Sequence, residues 1–474
     1  MKQLRLQSVT KTKNINILDI IIYMKHKENI IILFIWLVVV ILGCFYHEIW
    51  RDETQVWCIV RDLNFFEIFQ VTRIEGHPMF WYLLILPFAK LGFPMEIIQV
   101  ISVGFVFASL AFLLYKSPFN ILQKVLISFS AGMVYFLPVI SRNYALIPIF
   151  LFLLAHFYNQ RKEKPYIYAL LLFLLSQTHI LMFGFCGILF FLFSIEQIKN
   201  KKALPAIFLL LFNFLFLFLS FYQADSVNEA VQVYRERELS FFKLLDYFSY
   251  IFFNPVFKYS VLGKCIAFYG ILLVVFCSLF KQDKKIFLVF ATSFCYIFYI
   301  FAKVWFGGVS YQKAFVLTLI LIFCVWVTGN IDKKLRLAFN LFLGLSVILA
   351  VSHLYLEIRY QFSGSKQVVD FIKENIKDEI IIFKGYTCTI SPLSAYLPQK
   401  RFYSLDKNKY ITYYHFQKND DMQKEEFPSN AKYYIVQEDS FLFEELGYKL
   451  MFSSDENIVG PVGESEVYKI YEKI

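Results

Sequence analysis

Charged residues are scarce in this sequence. Only 18% of its 474 residues are Asp, Glu, Lys or Arg, whereas 58% are hydrophobic. Soluble domains are usually about 25% charged and about 45–50% apolar, so the composition excludes an ordinary soluble protein. Apolar runs of roughly 17–21 residues recur along the chain, which is the length needed to cross about 30 Å of hydrocarbon. The sequence therefore predicts a polytopic integral membrane protein.

Other common signals are missing as well. None of the eight cysteines forms a CxxC pair or lies at zinc-site spacing from a histidine, so neither a disulfide framework nor a zinc module is indicated. The first apolar run, which begins near Asn29, is not followed by a small-residue cleavage site. We therefore expect a retained helix rather than a signal peptide. A Gly-rich phosphate loop, internal repeats and low-complexity segments are also absent.

The net charge of +10 is compatible with a nucleic-acid ligand, but its distribution argues against one. The basic residues fall in short clusters between apolar runs, such as "RKEK" at 161–164 and "KNKK" at 199–202. Lysine and arginine placed in this way fix the orientation of membrane helices. We therefore expect no nucleic-acid partner.

About eleven apolar segments are predicted to span the bilayer. They lie at about 29–46, 95–115, 121–140, 143–159, 165–179, 180–196, 203–222, 262–280, 284–302, 313–329 and 336–356. Because basic clusters follow alternate gaps, the N terminus is expected in the cytoplasm and the C terminus outside the cell membrane. Two further apolar stretches, 78–93 and 239–253, are expected to form short interfacial or partly inserted helices.

The character of the chain changes after Glu357, where charged residues become frequent. Residues 1–356 are predicted to form the membrane domain and residues 357–474 a small extracytoplasmic α/β domain. Helical spacing and β-type runs in this tail predict a helix and three strands, at 365–376, 379–383, 432–438 and 466–472. The expected fold class is thus an all-α polytopic membrane protein with a C-terminal α/β domain.

The stretch "YHEIWRDETQVW" places Asp52 and Glu53 directly after the first apolar run, in a first external loop predicted at 47–77. Ionisable groups at a membrane edge are costly and are functional candidates by default. A partly dehydrated carboxylate can take a proton from an attacking hydroxyl. The pair is equally compatible with the start of an interfacial helix, where the helix dipole favours Asp52. Carboxylates also suit a divalent metal, but no third ligand stands out, so no metal or other cofactor is assigned.

Six more polar side chains fall in gaps predicted to lie on the same outer side. They are His77, Arg142, Tyr144, His179, Lys303 and Lys313. Arginine binds phosphate with a rigid fork of donors, and a histidine before proline is held extended. Each also has a structural explanation, such as an arginine snorkelling at a helix end. Together with Asp52, Glu53 and the apolar helices, these side chains would provide a carboxylate base, cations for a phosphate and contacts for a lipid tail. Transfer of a sugar from a polyprenyl-phosphate carrier requires these three features.

Four stretches resemble the membrane glycosyltransferases of the GT-C superfamily, especially the protein O-mannosyltransferase and aminoarabinose-transferase-like group. They are "WRDETQVW", "EGHPMFWYLLILPF", "SRNYALIPIFLFLLAHFY" and "THI". The resemblance covers roughly residues 29–330 and implies transfer from a lipid-phosphate sugar. It implies Asp52 as the base, with Glu53 as its neighbour and with His77, Arg142 and Tyr144 lining the donor or acceptor pocket. Members often carry an arginine before a late helix, where this chain reads "SYQKAF".

The expected function is sugar transfer from a polyprenyl-phosphate donor to an envelope glycan, lipid or protein on the outer face. One alternative is a glycan polymerase or ligase that uses a lipid diphosphate, for which Arg235 and Arg237 in the loop 223–243 would supply paired arginines. Another is a transporter or flippase of lipid-linked sugars. That alternative predicts broken or charged helices near the bilayer midplane, whereas the polar groups here gather at helix ends.

Overall fold

The computed structural model consists of a helical membrane part followed by a mixed α/β domain, which confirms the expected fold class. The residues it describes are 17–75, 77–227, 241–253, 261–303, 311–385, 387–415, 424–437, 440–454, 458 and 466–474.

The first part of the membrane domain contains the helices that surround the first loop. They are α1 (Ile17–Tyr46), α2 (Arg51–Asp62), α3 (Phe65–Glu75), α4 (Phe80–Lys90), α5 (Ile97–Lys116), α6 (Ile121–Ser128), α7 (Ile147–Phe157), α8 (Pro165–Ser176), α9 (Phe183–Gln197) and α10 (Leu204–Val227). Local chemistry fixes some of their ends. The Asn120 side chain accepts a hydrogen bond from the Gln123 N–H at 3.0 Å, and the Gln123 side chain accepts one from the Asn120 N–H at 3.3 Å. This capping box starts α6.

The second part contains α11 (Phe241–Phe253), α12 (Val261–Gln282), α13 (Lys284–Lys303), α14 (Tyr311–Thr328) and α15 (Lys333–Arg359). Asp332 caps α15 by accepting a hydrogen bond from the Leu335 N–H at 2.7 Å. Residues 314–326 of α14 are all buried. A helix that is apolar on every side is expected in the interior of a bundle, so α14 lies at the centre of the helical core.

Six helical stretches in the described chain are long and apolar enough to cross a membrane: Lys27–Tyr46, Ile97–Lys116, Ile180–Gln197, Leu262–Gln282, Lys284–Ala302 and Lys333–Arg359. Four shorter apolar helices accompany them, at Phe80–Lys90, Pro165–Ser176, Leu204–Ser220 and Lys313–Thr328. Large apolar side chains such as Phe34 and Phe212 are exposed on these surfaces. Exposed apolar faces of this extent require a bilayer, so the protein is membrane-embedded, and its orientation stays a prediction.

The segments expected to span at 121–140 and 143–159 are not continuous α-helices. Helix α6 ends after two turns and is followed by a π-helical turn at Gly132–Phe136 and a 3-10 turn at Asn143–Leu146. Pro138 removes a backbone donor between these turns. The irregular backbone at 137–141 is buried, which is the condition under which non-helical chain is tolerated at membrane depth. The break brings Ser141 and Arg142 into the protein interior.

The C-terminal domain is built on a six-stranded sheet of order β3-β2-β1-β4-β6-β5. Its strands are β1 (Ile380–Lys384), β2 (Arg401–Ser404), β3 (Lys409–Tyr410), β4 (Tyr433–Val436), β5 (Tyr448–Ser453) and β6 (Lys469–Lys473), and its helices are α16 (Ser365–Asn375), α17 (Ile390–Tyr396) and α18 (Ser440–Glu445). Strand β1 pairs in parallel with β2 and β4, whereas the other pairs are antiparallel. The structure contains the predicted helix and three predicted strands, and it adds β2, β3 and β5.

The C-terminal domain packs directly on α2 of the first loop. The Cys58 thiol donates to the Ser391 carbonyl at 3.5 Å, and the Arg61 guanidinium donates to the Ser394 carbonyl at 2.9 Å. Ser391 and Ser394 both belong to α17. The first loop is therefore held between the membrane helices and the C-terminal domain.

We expect Gly132→Ala to destabilise the protein. A Cβ atom there would lie 1.7 Å from a ring carbon of Phe315 on α14, and overpacking of this kind costs about 1–3 kcal/mol. Thermal unfolding of the purified protein in detergent measures the effect. Gly344→Ala on α15 is the control, because its Cβ would meet no described atom within 4 Å. Equal melting temperatures for the two variants would contradict the close packing at the π-helical turn.

Candidate functional site

The first turn of α2 presents Asp52 to two guanidinium groups. One Asp52 carboxylate oxygen lies 2.7 Å from Arg142 Nη1, and the other lies 3.5 Å from Arg51 Nε. The Asp52 side chain is 31% exposed and that of Arg142 is 16% exposed. Asp52 is thus a charged group at the edge of the helical core that remains accessible to a substrate.

The surroundings keep Asp52 ionised. Burial alone would raise the pKa of its carboxyl, but Arg142, followed by Arg51, Lys313 and His77, lowers that pKa below its usual value. Lys313 lies near the start of α14, far from Asp52 and Arg142 in the sequence. Cations from three separate segments therefore converge on one carboxylate, and this is an arrangement that can also receive an anionic ligand.

Three rings form a wall beside this pair. The Tyr144 and His179 rings stack with their centroids 4.2 Å apart, and the His77 ring lies 5.6 Å from that of His179. The Arg142 guanidinium lies 5.7 Å from the Tyr144 ring centroid. The Tyr144 hydroxyl is buried and has no hydrogen-bond partner among the described residues. A buried polar atom of this kind is a natural contact for a substrate hydroxyl or phosphate.

His77 is uncharged in this wall. Burial, followed by the positive charges of Arg142 and Lys313, lowers the pKa of its imidazole to about 3. A neutral imidazole offers one donor and one acceptor nitrogen. Such a ring suits a hydroxyl group better than a phosphate.

Glu53 faces away from Asp52 and is only 1% exposed. One of its carboxylate oxygens accepts hydrogen bonds from His47 Nε2 at 2.9 Å and from the Trp50 N–H at 3.2 Å. The other accepts a hydrogen bond from the Ser141 N–H at 2.6 Å. Glu53 therefore holds the α2 N terminus against the segment that carries Arg142.

His47 lies between two carboxylates. Its Nδ1 is 2.9 Å from Glu357 Oε1, and its Nε2 is 2.9 Å from Glu53 Oε2. The second oxygen of Glu357 accepts a hydrogen bond from the Tyr135 hydroxyl. Burial lowers the pKa of His47, but Glu53 and then Glu357 outweigh that effect and raise the pKa to about 10. The ring is therefore an imidazolium that cross-links the first loop, the π-helical turn and the end of α15.

A divalent metal shared by Asp52 and Glu53 does not fit this geometry. Both oxygens of Glu53 are occupied by protein donors, and Asp52 is paired with Arg142. Within the described ranges, no group of three or more His, Cys, Asp or Glu side chains is arranged to hold a metal ion. No step of the chemistry is assigned to a metal.

The structure thus places Asp52, His77, Arg142, Tyr144, His179 and Lys313 around one region, while Glu53 lies behind it. Lys303 ends α13, and its side chain lies outside the described part. Arg235 and Arg237 also lie outside the described residues. The interpretations that rest on them stay predictions.

The sequence analysis did not identify three buried ionisable residues: His47, Glu357 and Glu75. Glu75 is buried at the end of α3, where it accepts hydrogen bonds from Gln55 Nε2 at 2.8 Å and from the Tyr82 hydroxyl. Burial raises the pKa of Glu75 to about 7. The only signal in the sequence was its position in "EGHP", two residues before His77.

Among solved structures, the chain is similar to the crystal structure of ArnT from Cupriavidus metallidurans in the apo state. The TM-score is 0.54 at 10% sequence identity, and the match covers 94% of this chain and 97% of that chain. ArnT is an aminoarabinose transferase of the GT-C superfamily. The chain has a GT-C fold. No protein-family model matches the sequence, and no curated protein matches it.

Near-complete coverage of both chains means that the GT-C likeness includes the C-terminal domain as well as the membrane helices. The sequence resemblance had covered only the membrane part. At 10% identity the likeness concerns the fold, so the roles of individual side chains in this protein must be argued from their own geometry.

We expect the contact of His47 with Glu53 and Glu357 to make the stability of this protein depend on pH. The folded-state pKa of about 10 exceeds the unfolded value of about 6.5. The stabilisation is therefore fully present below about pH 6.5 and is lost as the pH rises through about 10. The melting temperature of the wild type should fall over this range. His47→Gln should remove the contribution of His47 to this dependence between about pH 7 and 10 and destabilise the protein by about 3–5 kcal/mol near pH 6, since two buried carboxylates lose their cation.

His156→Gln is the matched control for this measurement. The His156 ring packs against Phe112 and Phe157 and makes no ion pair in the described part of the chain. Its substitution should leave the pH dependence between about 7 and 10 unchanged. A wild-type melting temperature that does not change over this range would contradict a protonated His47.

Proposed function

We propose that this protein is a membrane glycosyltransferase of the GT-C type that uses a polyprenyl-phosphate sugar. The sugar passes to a hydroxyl group of an envelope glycan, lipid or protein on the outer face of the cell membrane. The observation that carries this proposal is the accessible Asp52 carboxylate, ion-paired with Arg142 and faced by Lys313 at the edge of the helical core. The GT-C fold supports the same class.

The reaction requires a base for the acceptor and positive charge for the leaving phosphate. The acceptor oxygen attacks the anomeric carbon while the bond from that carbon to the phosphate oxygen breaks, and the electron pair stays on the phosphate. Arg142 and Lys313 are placed to stabilise the developing charge. Asp52 is the general base that receives the acceptor proton. Attack in line with the departing phosphate inverts the anomeric carbon.

The donor also needs a neutral polar wall and an apolar path. His77 is uncharged and Tyr144 has a buried hydroxyl aimed at no described partner, so both suit sugar hydroxyls better than phosphate. Exposed apolar helix faces of the membrane domain provide the contact that an isoprenoid tail requires. A reaction at the membrane edge follows from such a donor, because its tail remains in the bilayer.

Neither alternative function is favoured by an observation within the described ranges. A lipid-diphosphate polymerase or ligase would depend on Arg235 and Arg237, which lie outside them. The transporter alternative predicts broken helices, and the segment between the turns at Gly132–Phe136 and Asn143–Leu146 is broken. A translocation path would also need polar groups along its length, whereas Arg142, Arg51 and Lys313 converge on the single carboxylate of Asp52.

We expect Asp52→Asn to lower sugar transfer by about 10²–10⁴-fold, which is the usual contribution of a general base. Transfer from a panel of radiolabelled polyprenyl-phosphate sugars, in membranes with matched expression, measures this. Asp62→Asn is the matched control. It makes the same change on the same helix at an exposed position, where the carboxylate contacts Arg61 and Thr412, and it should transfer at the wild-type rate.

The possible results separate the proposals. Equal transfer by wild type and Asp52→Asn would remove Asp52 from catalysis while leaving the enzyme class intact. No transfer by the wild type from any polyprenyl-phosphate sugar would contradict the proposed donor. Transfer from a lipid diphosphate instead would establish the polymerase or ligase alternative.

A further inference from the structure

A third carboxyl group, Glu75, is enclosed next to the proposed transfer site. It ends α3, and its two oxygens accept hydrogen bonds from the Tyr82 hydroxyl on α4 and from Gln55 Nε2 on α2. Gln55 follows Asp52 by three residues on α2. Side chains with this spacing lie on the same helix face. Glu75 is therefore held beside the face that presents Asp52.

Gln55 fixes the orientation of this contact. Its amide oxygen accepts hydrogen bonds from the Ser391 hydroxyl and the Tyr414 N–H, both at 2.8 Å. Its amide nitrogen donates to the Tyr414 carbonyl and to Glu75, also at 2.8 Å. These four bonds use the amide's full donor and acceptor capacity. The amide nitrogen must consequently face Glu75, and the C-terminal domain supplies the groups that hold it there.

The groups facing Glu75 favour a carboxyl that can change its protonation state. Burial has the largest effect and raises the pKa of Glu75. The hydrogen bonds from Tyr82 and Gln55 and the positive charge of Arg142 lower that pKa, whereas the negative charge of Asp52 raises it further. Tyr413 faces Glu75 from the C-terminal domain. Helix α10 packs against α3 through apolar contacts such as Phe216 on Phe69. The outcome is a pKa of about 7, whereas the pKa of Asp52 is lowered.

The two carboxyls are thus suited to different parts of one proton transfer. Asp52 is accessible and ionised, so it can orient an attacking hydroxyl, but its cationic neighbours make it a poor place for the proton to remain. Within the described chain, Glu75 is held by the neutral Tyr82 and Gln55 donors and has no direct cation partner. Proton uptake is most effective when the pKa of the accepting group lies near the working pH.

We propose that Glu75 takes up the proton that the acceptor hydroxyl loses, after Asp52 has received it. This inference rests on the proposed glycosyltransferase function. The bond between the acceptor oxygen and the anomeric carbon forms, the bond to the phosphate oxygen breaks, and its electron pair leaves with the polyprenyl phosphate. The proton passes from the acceptor oxygen to Asp52, then to Glu75, and from there to solvent. Glu75 is therefore a proton-accepting residue that acts through Asp52.

The pH profile of transfer tests this role. Wild-type transfer should rise with pH through about 7, as Glu75 loses its own proton and becomes able to accept another. Glu75→Gln should lower the rate at about pH 8 by roughly 10²-fold. It should also remove the limb of the profile in which the rate rises with pH. Glu67→Gln is the matched control, because it makes the same change on α3 at an exposed carboxylate. It should keep the wild-type rate and profile.

Tyr82→Phe provides a second variant in case Glu75→Gln folds poorly. Loss of the hydroxyl removes a hydrogen bond that lowers the pKa of Glu75, so the limb should move to higher pH while the rate at the plateau is retained. A Glu75→Gln enzyme with the wild-type profile would overturn the proposal. So would one that is slower but keeps the wild-type limb, because that result indicates a structural role only.

Infrared difference spectra make the test independent of the donor. In the purified protein, the wild type should show a protonated-carboxyl band that titrates at about pH 7 and is missing from Glu75→Gln, while a second band, from Glu466, whose pKa burial also raises to about 7, should remain in both proteins. Absence of the Glu75 band in the wild type would overturn the inference even if transfer is observed. A wild type that shows the band but transfers no sugar from any donor would instead count against the proposed function alone.

Discussion

The rest of the site depends on one buried contact, the His47 imidazolium between Glu53 and Glu357. Burying three charges is costly unless each is paired and every remaining hydrogen-bonding position is filled. Here Tyr135, the Trp50 N–H and the Ser141 N–H supply those further bonds. A network satisfied in this way is rigid. It fixes the end of α1, the start of α2 and the end of α15 to one another at the place where the chain leaves the helical core.

The position of the catalytic candidates follows from that contact. The Glu53 bond to the Ser141 N–H holds the broken segment after the π-helical turn, and the next residue along that segment is Arg142. Successive residues on a helix point about 100° apart, so anchoring Glu53 inward turns Asp52 outward toward the arginine. Two adjacent acidic residues therefore have opposite environments, 31% side-chain exposure for Asp52 and 1% exposure for Glu53. A sequence pattern alone does not distinguish them.

Features set by local sequence were predictable, whereas features set by distant contacts were not. Apolar length indicated the long membrane helices, and helical spacing indicated the helix now seen at Ser365–Asn375. The interruption after α6 was missed because it depends on Phe315 packing onto Gly132. His47 and Glu357 are 310 residues apart, so nothing near either residue reveals the pair. Strands β2 and β3 were too short, at four and two residues, to show an alternating pattern.

The same distinction between local sequence and distant contacts explains which residues of the site could be predicted. Asp52 and Arg142 were recognisable because charged residues beside apolar runs are unusual wherever the partner lies. Glu75 was not, because an acidic residue in a loop is normally solvated, and only the folded chain brings Tyr82 and Gln55 onto it. A single site can hold both an acid and a base when the surroundings of two neighbouring carboxyls give them different pKa values. In this protein the separation arises because burial raises the pKa of Glu75, whereas Arg142 lowers that of Asp52. The C-terminal domain limits it, since Tyr414 and Ser391 fix Gln55, whose hydrogen bond lowers the pKa of Glu75. That domain is therefore part of the chemistry of the site as well as of its architecture.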